Sequence, residues 1–245
     1  MLYGSKSDVG CVREKNEDSF ALFEGFPNAD LVIVADGMGG HRSGDVASKM
    51  AIESIRNHLQ ERFLSVPILR ESIEIANRNI FERAQQDQEC VGMGTTLVLA
   101  MLEAQSALIA NVGDSRAYHF AAGSGALRQV TMDHSLVQEL LNCGEINEQK
   151  AKNHPYQNVI TRALGTKQSV DIDFFEVDWA FGDSILLCSD GLTRYISEPI
   201  LTKKLLQNKP VQTLCDDLVA MAKQAGGQDN ITVVVAQNTQ GGGPR

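Results

Sequence analysis

No stretch of this sequence is apolar for long enough to cross a membrane. Its longest apolar runs, such as Leu97–Leu102, have about six residues, whereas a spanning helix needs about twenty. The opening Met1-Leu2-Tyr3-Gly4-Ser5-Lys6-Ser7 holds no apolar core of the signal-peptide kind. Membrane attachment is therefore not expected. No C-x-x-C occurs. The five cysteines, Cys11, Cys90, Cys143, Cys188 and Cys215, are odd in number and widely spaced. That pattern predicts reduced thiols and a cytoplasmic location. Positive charge is also short: 22 Lys and Arg against 31 Asp and Glu give 22 − 31 = −9. A general nucleic-acid binder needs a basic face, so that class is excluded. There is no internal repeat and no Pro/Ser-rich linker. G-x-x-x-x-G-K-[ST], H-E-x-x-H, G-x-S-x-G and a complete EF-hand loop are absent as well.

What is present reads as a globular chain. Its 245 residues are 43% hydrophobic and 22% charged, enough to bury a core without disulfide or metal staples. Short β-branched apolar runs at residues 31–35, 95–102, 107–112, 184–188 and 231–236 predict strands. Apolar residues at helical spacing predict helices over 45–63, 68–84 and 211–225, the last ended by Gly226-Gly227. The Asp133-His134-Ser135 cluster predicts a further helix through Leu141, with Asp133 or Ser135 as N-cap. Hairpin-like spacing between 95–102 and 107–112 predicts antiparallel pairing. Strands grouped apart from helices predict a layered α+β fold rather than βαβ units.

Carboxylates recur at the ends of these runs. Asp36-Gly37 follows 31–35, Gly113-Asp114 follows 107–112 and Asp190-Gly191 follows 184–188 with one serine between; Asp229-Asn230 precedes 231–236. A single Asp-Gly is a common turn pair. Several carboxylates gathered at one edge would repel each other and raise their pKa values. Hard divalent cations such as Mg²⁺ and Mn²⁺ remove that cost, because they take oxygen ligands. Glycine lets a backbone carbonyl approach a metal closely. Arg13-Glu14-Lys15-Asn16-Glu17-Asp18 adds an arginine whose planar fork suits phosphate oxygens. Asp36-Gly37-Met38-Gly39-Gly40-His41 adds an irregular loop and a histidine that can move a proton near neutral pH.

Seven motifs stand in order: Arg13-x-x-Asn16-Glu17-Asp18, Asp36-Gly37-Met38-Gly39-Gly40-His41, Gly94-Thr95-Thr96, Asn111-Val112-Gly113-Asp114-Ser115-Arg116, Thr161-Arg162-Ala163-Leu164-Gly165, Ser189-Asp190-Gly191-Leu192 and Asp229-Asn230-Ile231-Thr232. On these the chain resembles the bacterial metal-dependent serine/threonine protein phosphatases of type 2C, from about Ser7 to Gln237. The resemblance implies a four-layer αββα sandwich, two antiparallel β-sheets flanked by antiparallel helices. It implies a single catalytic domain over 1–238, a flap at about 143–165 and a flexible tail at 239–245. It implies hydrolysis of phosphoserine and phosphothreonine in proteins by a metal-activated water at a dinuclear Mn²⁺ or Mg²⁺ centre, with a third ion beside it. Asp36, the Gly37 carbonyl, Asp190 and Asp229 would be the direct metal ligands. Asp18 would hold metal-bound waters, and Asp114 with Asp190 would hold the third ion. Arg13, Asp18 and His41 would be the catalytic residues, with Arg13, His41 and Asn230 touching substrate. His41 here takes the place of the histidine that eukaryotic members carry where this chain has Met38.

The partners implied are phosphorylated proteins and a cognate Ser/Thr kinase, with the phosphatase a monomer that binds neither nucleic acid nor membrane. Two alternatives belong to other classes: a phosphatase of anti-sigma antagonist proteins, and an inactive metal-binding sensory module. The full Arg-x-x-Asn-Glu-Asp motif speaks against the first, and the presence of Asp18, Asp36, Asp114, Asp190 and Asp229 against the second. Other residues read as structural. Asp133 and His134 would cap or brace a helix, Arg116 would pair with an acid near Asp114, Arg162 would anchor the flap or pair with an acid, and Trp179 and Cys188 would pack.

Overall fold

The computed structural model describes residues 1–39, 43–60, 62–151 and 154–239. Eleven strands and seven helices are assigned among them. In chain order they are β1 (Leu2–Asp8), β2 (Asp18–Phe23), β3 (Asp30–Met38), α1 (Gly44–Leu59), α2 (Val66–Gln86), β4 (Gly94–Thr95), β5 (Leu97–Leu102), β6 (Ser106–Val112), β7 (Arg116–Ala121) and β8 (Ala126–Gln129). There follow α3 (Leu136–Asn142), α4 (Glu148–Ala151), β9 (Asp173–Asp178), β10 (Ser184–Cys188), α5 (Asp190–Thr193), α6 (Glu198–Leu205), α7 (Val211–Gln224) and β11 (Ile231–Gln237).

The strands form two sheets, ordered β1-β11-β10-β7-β8 and β2-β3-β5-β6-β9, with short β4 beside β3. Every pairing is antiparallel. The hairpin of β5 and β6 is the one that the spacing predicts. Side-chain alternation explains the layers. Leu31 and Ile33 of β3 point to one core with Ile55, Leu59, Ile73 and Ile80 of α1 and α2. Val32 and Val34 point the other way, between the sheets, where they meet Ile185, Leu187 and Val234. Leu186, Val233 and Val235 face a third core with Leu214, Leu218 and Ala222 of α7. Central strands buried on both faces read as unbroken apolar runs, because each side chain has a core to enter. The result is the four-layer αββα sandwich.

Helix ends differ from the sequence pattern by a few residues. α1 stops at Leu59 because Gln60 turns to extended geometry (φ −47°, ψ 127°), and Phe63 is exposed. α3 is capped by Ser135, whose hydroxyl accepts from Gln138 N at 3.3 Å. Asp133 is not its cap: its carboxylate takes the Arg116 guanidinium in a forked pair. α7 ends where Gly226 (φ +147°) and Gly227 (φ +54°) take backbone angles that other residues rarely adopt. Among the described residues no helix is long and apolar enough to cross a membrane. Of the expected tail, residues 240–245 lie outside the described residues, as do Lys152 and Asn153 of the expected flap.

Candidate functional site

Asp18 joins the two sheets at one end of the sandwich. It opens β2 directly opposite Asp36 of β3. Its Oδ2 accepts from Ser189 Oγ (2.8 Å), just after β10, and from Thr232 Oγ1 (2.7 Å) in β11. Thr232 has one hydroxyl proton and gives it to Asp18. Its oxygen therefore accepts from Ser7 Oγ (2.8 Å), which in turn accepts from Asn16 Nδ2 (2.8 Å). A one-directional hydrogen-bond chain thus fixes the carboxylate. The second oxygen, Oδ1, is buried with no hydrogen-bond partner among the described residues.

The backbone around Asp36 is held as firmly. Its N–H donates to Thr96 Oγ1 (3.0 Å), and its carbonyl accepts from Thr96 N (2.8 Å) and Thr95 Oγ1 (2.9 Å). Gly37 follows, its N–H on the Glu17 carbonyl (3.2 Å). A Cβ here would lie 2.1 Å from the Gly44 carbonyl oxygen. Close approach to the start of α1 therefore requires glycine. Asp114 follows Gly113, which takes φ +110°. His134 clasps that glycine from both sides: Gly113 N donates to His134 Nδ1 (2.9 Å), and His134 N donates to the Gly113 carbonyl (3.0 Å). Because Nδ1 accepts, the imidazole proton sits on Nε2 and points at Asp173 Oδ2 (3.1 Å). Arg162 shares Asp173 (2.8 Å), and Thr161 N donates to the His134 carbonyl (2.9 Å). Arg116, His134 and Arg162 thus brace the loop that carries Asp114. Asp114 is 7% exposed, and its Oδ1 also lacks a partner among the described residues.

The five strand-end aspartates feel one another. Burial, and then the charges of Asp18, Asp190, Asp114 and Asp229, hold Asp36 well above the usual carboxylate range. Burial raises Asp18 to about 7, with Asp190 and Asp229 adding to it against the Thr232 and Ser189 hydrogen bonds. Burial, Asp190 and Asp133 raise Asp114 to about 7. Burial also raises Asp190, although Arg194 opposes it. This is the electrostatic signature of carboxylates placed to receive cations.

Two guanidinium groups answer part of that charge. Arg13 grips Asp229 with Nε on Oδ1 (3.0 Å) and a terminal nitrogen on Oδ2 (3.0 Å). Arg194 lies on Asp190 through Nε (3.1 Å) and a shorter terminal contact, with Asp229 Oδ2 at 3.8 Å. Among the described residues no three carboxylate, imidazole or thiolate groups are drawn into a metal cage. The donor set nevertheless fits hard divalent cations: it is all oxygen, and two buried carboxylate oxygens have no partner among the described residues.

Asp18, Asp36, Asp114, Asp190, Asp229 and Arg13 are therefore brought together. His41 lies outside the described residues. The Asn230 side chain is engaged within the protein. Its Oδ1 accepts from Glu17 N (2.8 Å), and its Nδ2 donates to Val9 O (3.0 Å) and Lys15 O (2.9 Å). It staples the loop that carries Arg13 and Asp18. Sequence reasoning missed Arg194 and Ser7, and it gave no role to Ser189 and Thr232, which stand in two of the seven motifs. Arg194 lies four residues after Asp190.

Comparison with known proteins agrees with this geometry. The family profile for protein phosphatase 2C matches residues 12–236. A serine/threonine phosphatase, stp, of Listeria monocytogenes is 42% identical over 238 residues, covering 95% of this chain and 94% of that protein. A crystal structure of a bacterial serine phosphatase superposes with TM-score 0.92 at 35% identity, over 100% of both chains. The catalytic domain of the serine/threonine protein phosphatase PstP, solved with two manganese ions, superposes with TM-score 0.83 at 33% identity, over 96% of each. With its match spanning nearly the whole sequence and its carboxylates gathered where the sheets meet, the chain belongs to the type 2C family of serine/threonine protein phosphatases.

Proposed function

We propose that this phosphatase hydrolyses phosphoserine and phosphothreonine in proteins at a dinuclear Mn²⁺ or Mg²⁺ centre, with a third ion beside it, and so reverses a cognate Ser/Thr kinase. One observation carries the reading. Burial first, and then neighbouring aspartate charges, hold Asp18, Asp36, Asp114 and Asp190 above the usual carboxylate range, and two of their oxygens are buried without partners among the described residues. Asp36, the Gly37 carbonyl, Asp190 and Asp229 would hold the two ions. Asp18 would orient their water, and Asp114 with Asp190 would take the third. Bound divalent ions supply Lewis acidity there, lowering the pKa of water and offsetting phosphoryl charge.

The chain's own groups do the rest. Asp18, locked through Oδ2 by Ser189 and Thr232, keeps its other oxygen without a hydrogen-bond partner among the described residues. Arg13 is half exposed, and its fork can leave Asp229 for two phosphoryl oxygens. His41 would give the leaving serine or threonine oxygen its proton. The proposed unit is one monomeric catalytic domain over 1–238, with the flap at 143–165 beside the cleft and 239–245 as a tail. The test is phosphate release from a phosphothreonine peptide by chelator-stripped protein. Turnover should require added Mn²⁺ or Mg²⁺; full turnover in excess chelator would overturn the mechanism.

A further inference from the structure

Arg194 belongs to none of the seven motifs, yet it sits in the middle of the carboxylate cluster. It is the C-cap of α5, one helical turn after Asp190, and its N–H donates to the Asp190 carbonyl at 3.0 Å. That spacing lays its side chain alongside Asp190. Nε lies 3.1 Å from Asp190 Oδ2, with a closer contact from a terminal nitrogen. The other terminal nitrogen lies 3.8 Å from Asp229 Oδ2. Arg13 grips that same Asp229 oxygen from the opposite end of the chain, at 3.0 Å. The Arg194 guanidinium is thus a cation shared between two carboxylates that the proposed function gives to the metals.

We propose that Arg194 is a positioning residue that competes with the divalent ions for Asp190 and Asp229, and so sets how tightly they bind; the inference rests on the metal reading above. A carboxylate oxygen that shares its lone pairs with a guanidinium is a poorer ligand for an ion than a free one. The guanidinium charge also stands beside the ions and repels them. Both effects weaken metal binding. The same residue steadies the cluster when no ion is bound, since it separates Asp190 from Asp229 by a charge of opposite sign. Arg194 therefore exchanges metal affinity for stability of the unloaded protein. Arg13 does not play this part in the same way, because it is the more exposed of the two and pairs with Asp229 alone among the described residues.

The experiment compares full-length wild type, Arg194→Gln and Arg194→Lys after chelator stripping. Mn²⁺ affinity is read from the electron paramagnetic resonance signal of free Mn²⁺, and melting temperature is read in excess chelator and in saturating Mn²⁺. For Arg194→Gln the expected result is Mn²⁺ affinity about three- to tenfold higher, the scale of losing a partly exposed ion pair. Its melting temperature should fall in chelator but not in saturating Mn²⁺. Arg194→Lys keeps the charge and loses the fork, so it should lie between the two. A purely structural arginine would lower both melting temperatures equally and leave affinity unchanged or weaker, and that result would overturn the proposal. Wild type that binds no Mn²⁺ would overturn the metal reading itself, and the role of Arg194 with it.

Discussion

Two sets of buried aspartates lie in this sandwich, and their surroundings treat the carboxylate in opposite ways. Asp183, just before β10, is 6% exposed. Its Oδ1 accepts from Ala122 N (2.8 Å), and its Oδ2 accepts from Ala180 N (2.9 Å) and His119 Nε2 (3.0 Å). Burial pushes its pKa up, but those donors outweigh burial and leave it lowered. Asp18 is 8% exposed. Deeper burial dominates there and outweighs two hydroxyl donors, with the charges of Asp190 and Asp229 adding to the rise. Similar surface exposure therefore says nothing about role. Asp183 has its charge answered by the protein and reads as structural. Asp18, Asp36 and Asp114 have their charge less fully answered among the described residues, so each is held above the usual carboxylate range.

The sharpest way to break this contrast is to neutralise one aspartate of each kind. Asp36→Asn should lower turnover by about a hundredfold or more, since even outer partners of metal ligands cost about ten- to a hundredfold. Its chelator-treated form should melt no lower than wild type, because one of several repelling charges is gone. Asp183→Asn should do the reverse. Its folded protein should turn over normally, while urea unfolding shows a loss of about 2 kcal/mol, the scale of hydrogen bonds to a charged group. An Asp36→Asn protein that stays active, or an Asp183→Asn protein as stable as wild type, would dissolve the distinction.

The pH dependence of stability sharpens it further. Asp18 and Asp114 go from 3.8 in the unfolded chain to about 7 in the folded one. Between those values the folded state binds more protons, so stability in chelator falls as pH rises. Asp183 works with the opposite sign. Its contribution is present above 3.8 and is lost as pH falls through its lowered folded value. Melting temperature in chelator should therefore decline between about pH 5 and pH 7.5. Saturating Mn²⁺ should flatten or reverse the decline, since a bound cation favours ionised carboxylates. A melting temperature that rises with pH in chelator would show that the cluster is not strained by charge.

How legible the molecule was in its sequence follows from the same physics. β3, β5, β6, β10 and β11 read plainly as strands because both of their faces are buried. β1, β2, β7, β8 and β9 did not, because each has a half-exposed face with polar residues, as in Leu2–Asp8. The aspartates were visible because they punctuate apolar runs. Their supports were not. Ser189 and Thr232 reach Asp18 across 171 and 214 residues, and no local pattern records a contact of that span. Asp133 drew a helix-cap reading from its neighbours, yet Arg116, 17 residues away, takes its carboxylate. Arg194 was within reach, but the four-residue spacing from Asp190 means something only once residues 190–193 are known to be helical.

The smallest effect tests the hydrogen-bond chain behind Asp18. Thr232→Val keeps volume but removes the donor nearest the carboxylate, and it leaves the Ser7 hydroxyl without its acceptor. Unfolding should show a loss of about 1–2 kcal/mol, and Asp18 should be harder to ionise, with Mn²⁺ binding weakened most at low pH. Ser7→Ala lies one step further out, where the side chain is only partly buried. It should cost about 0.5–1 kcal/mol and leave Mn²⁺ affinity nearly unchanged. A graded loss along Thr232 and Ser7 would mean that the chain transmits orientation to Asp18. Equal losses in stability with no change in Mn²⁺ binding for either would mean that these hydroxyls only join the sheets, in which case Asp18 is held for metal by Ser189 alone.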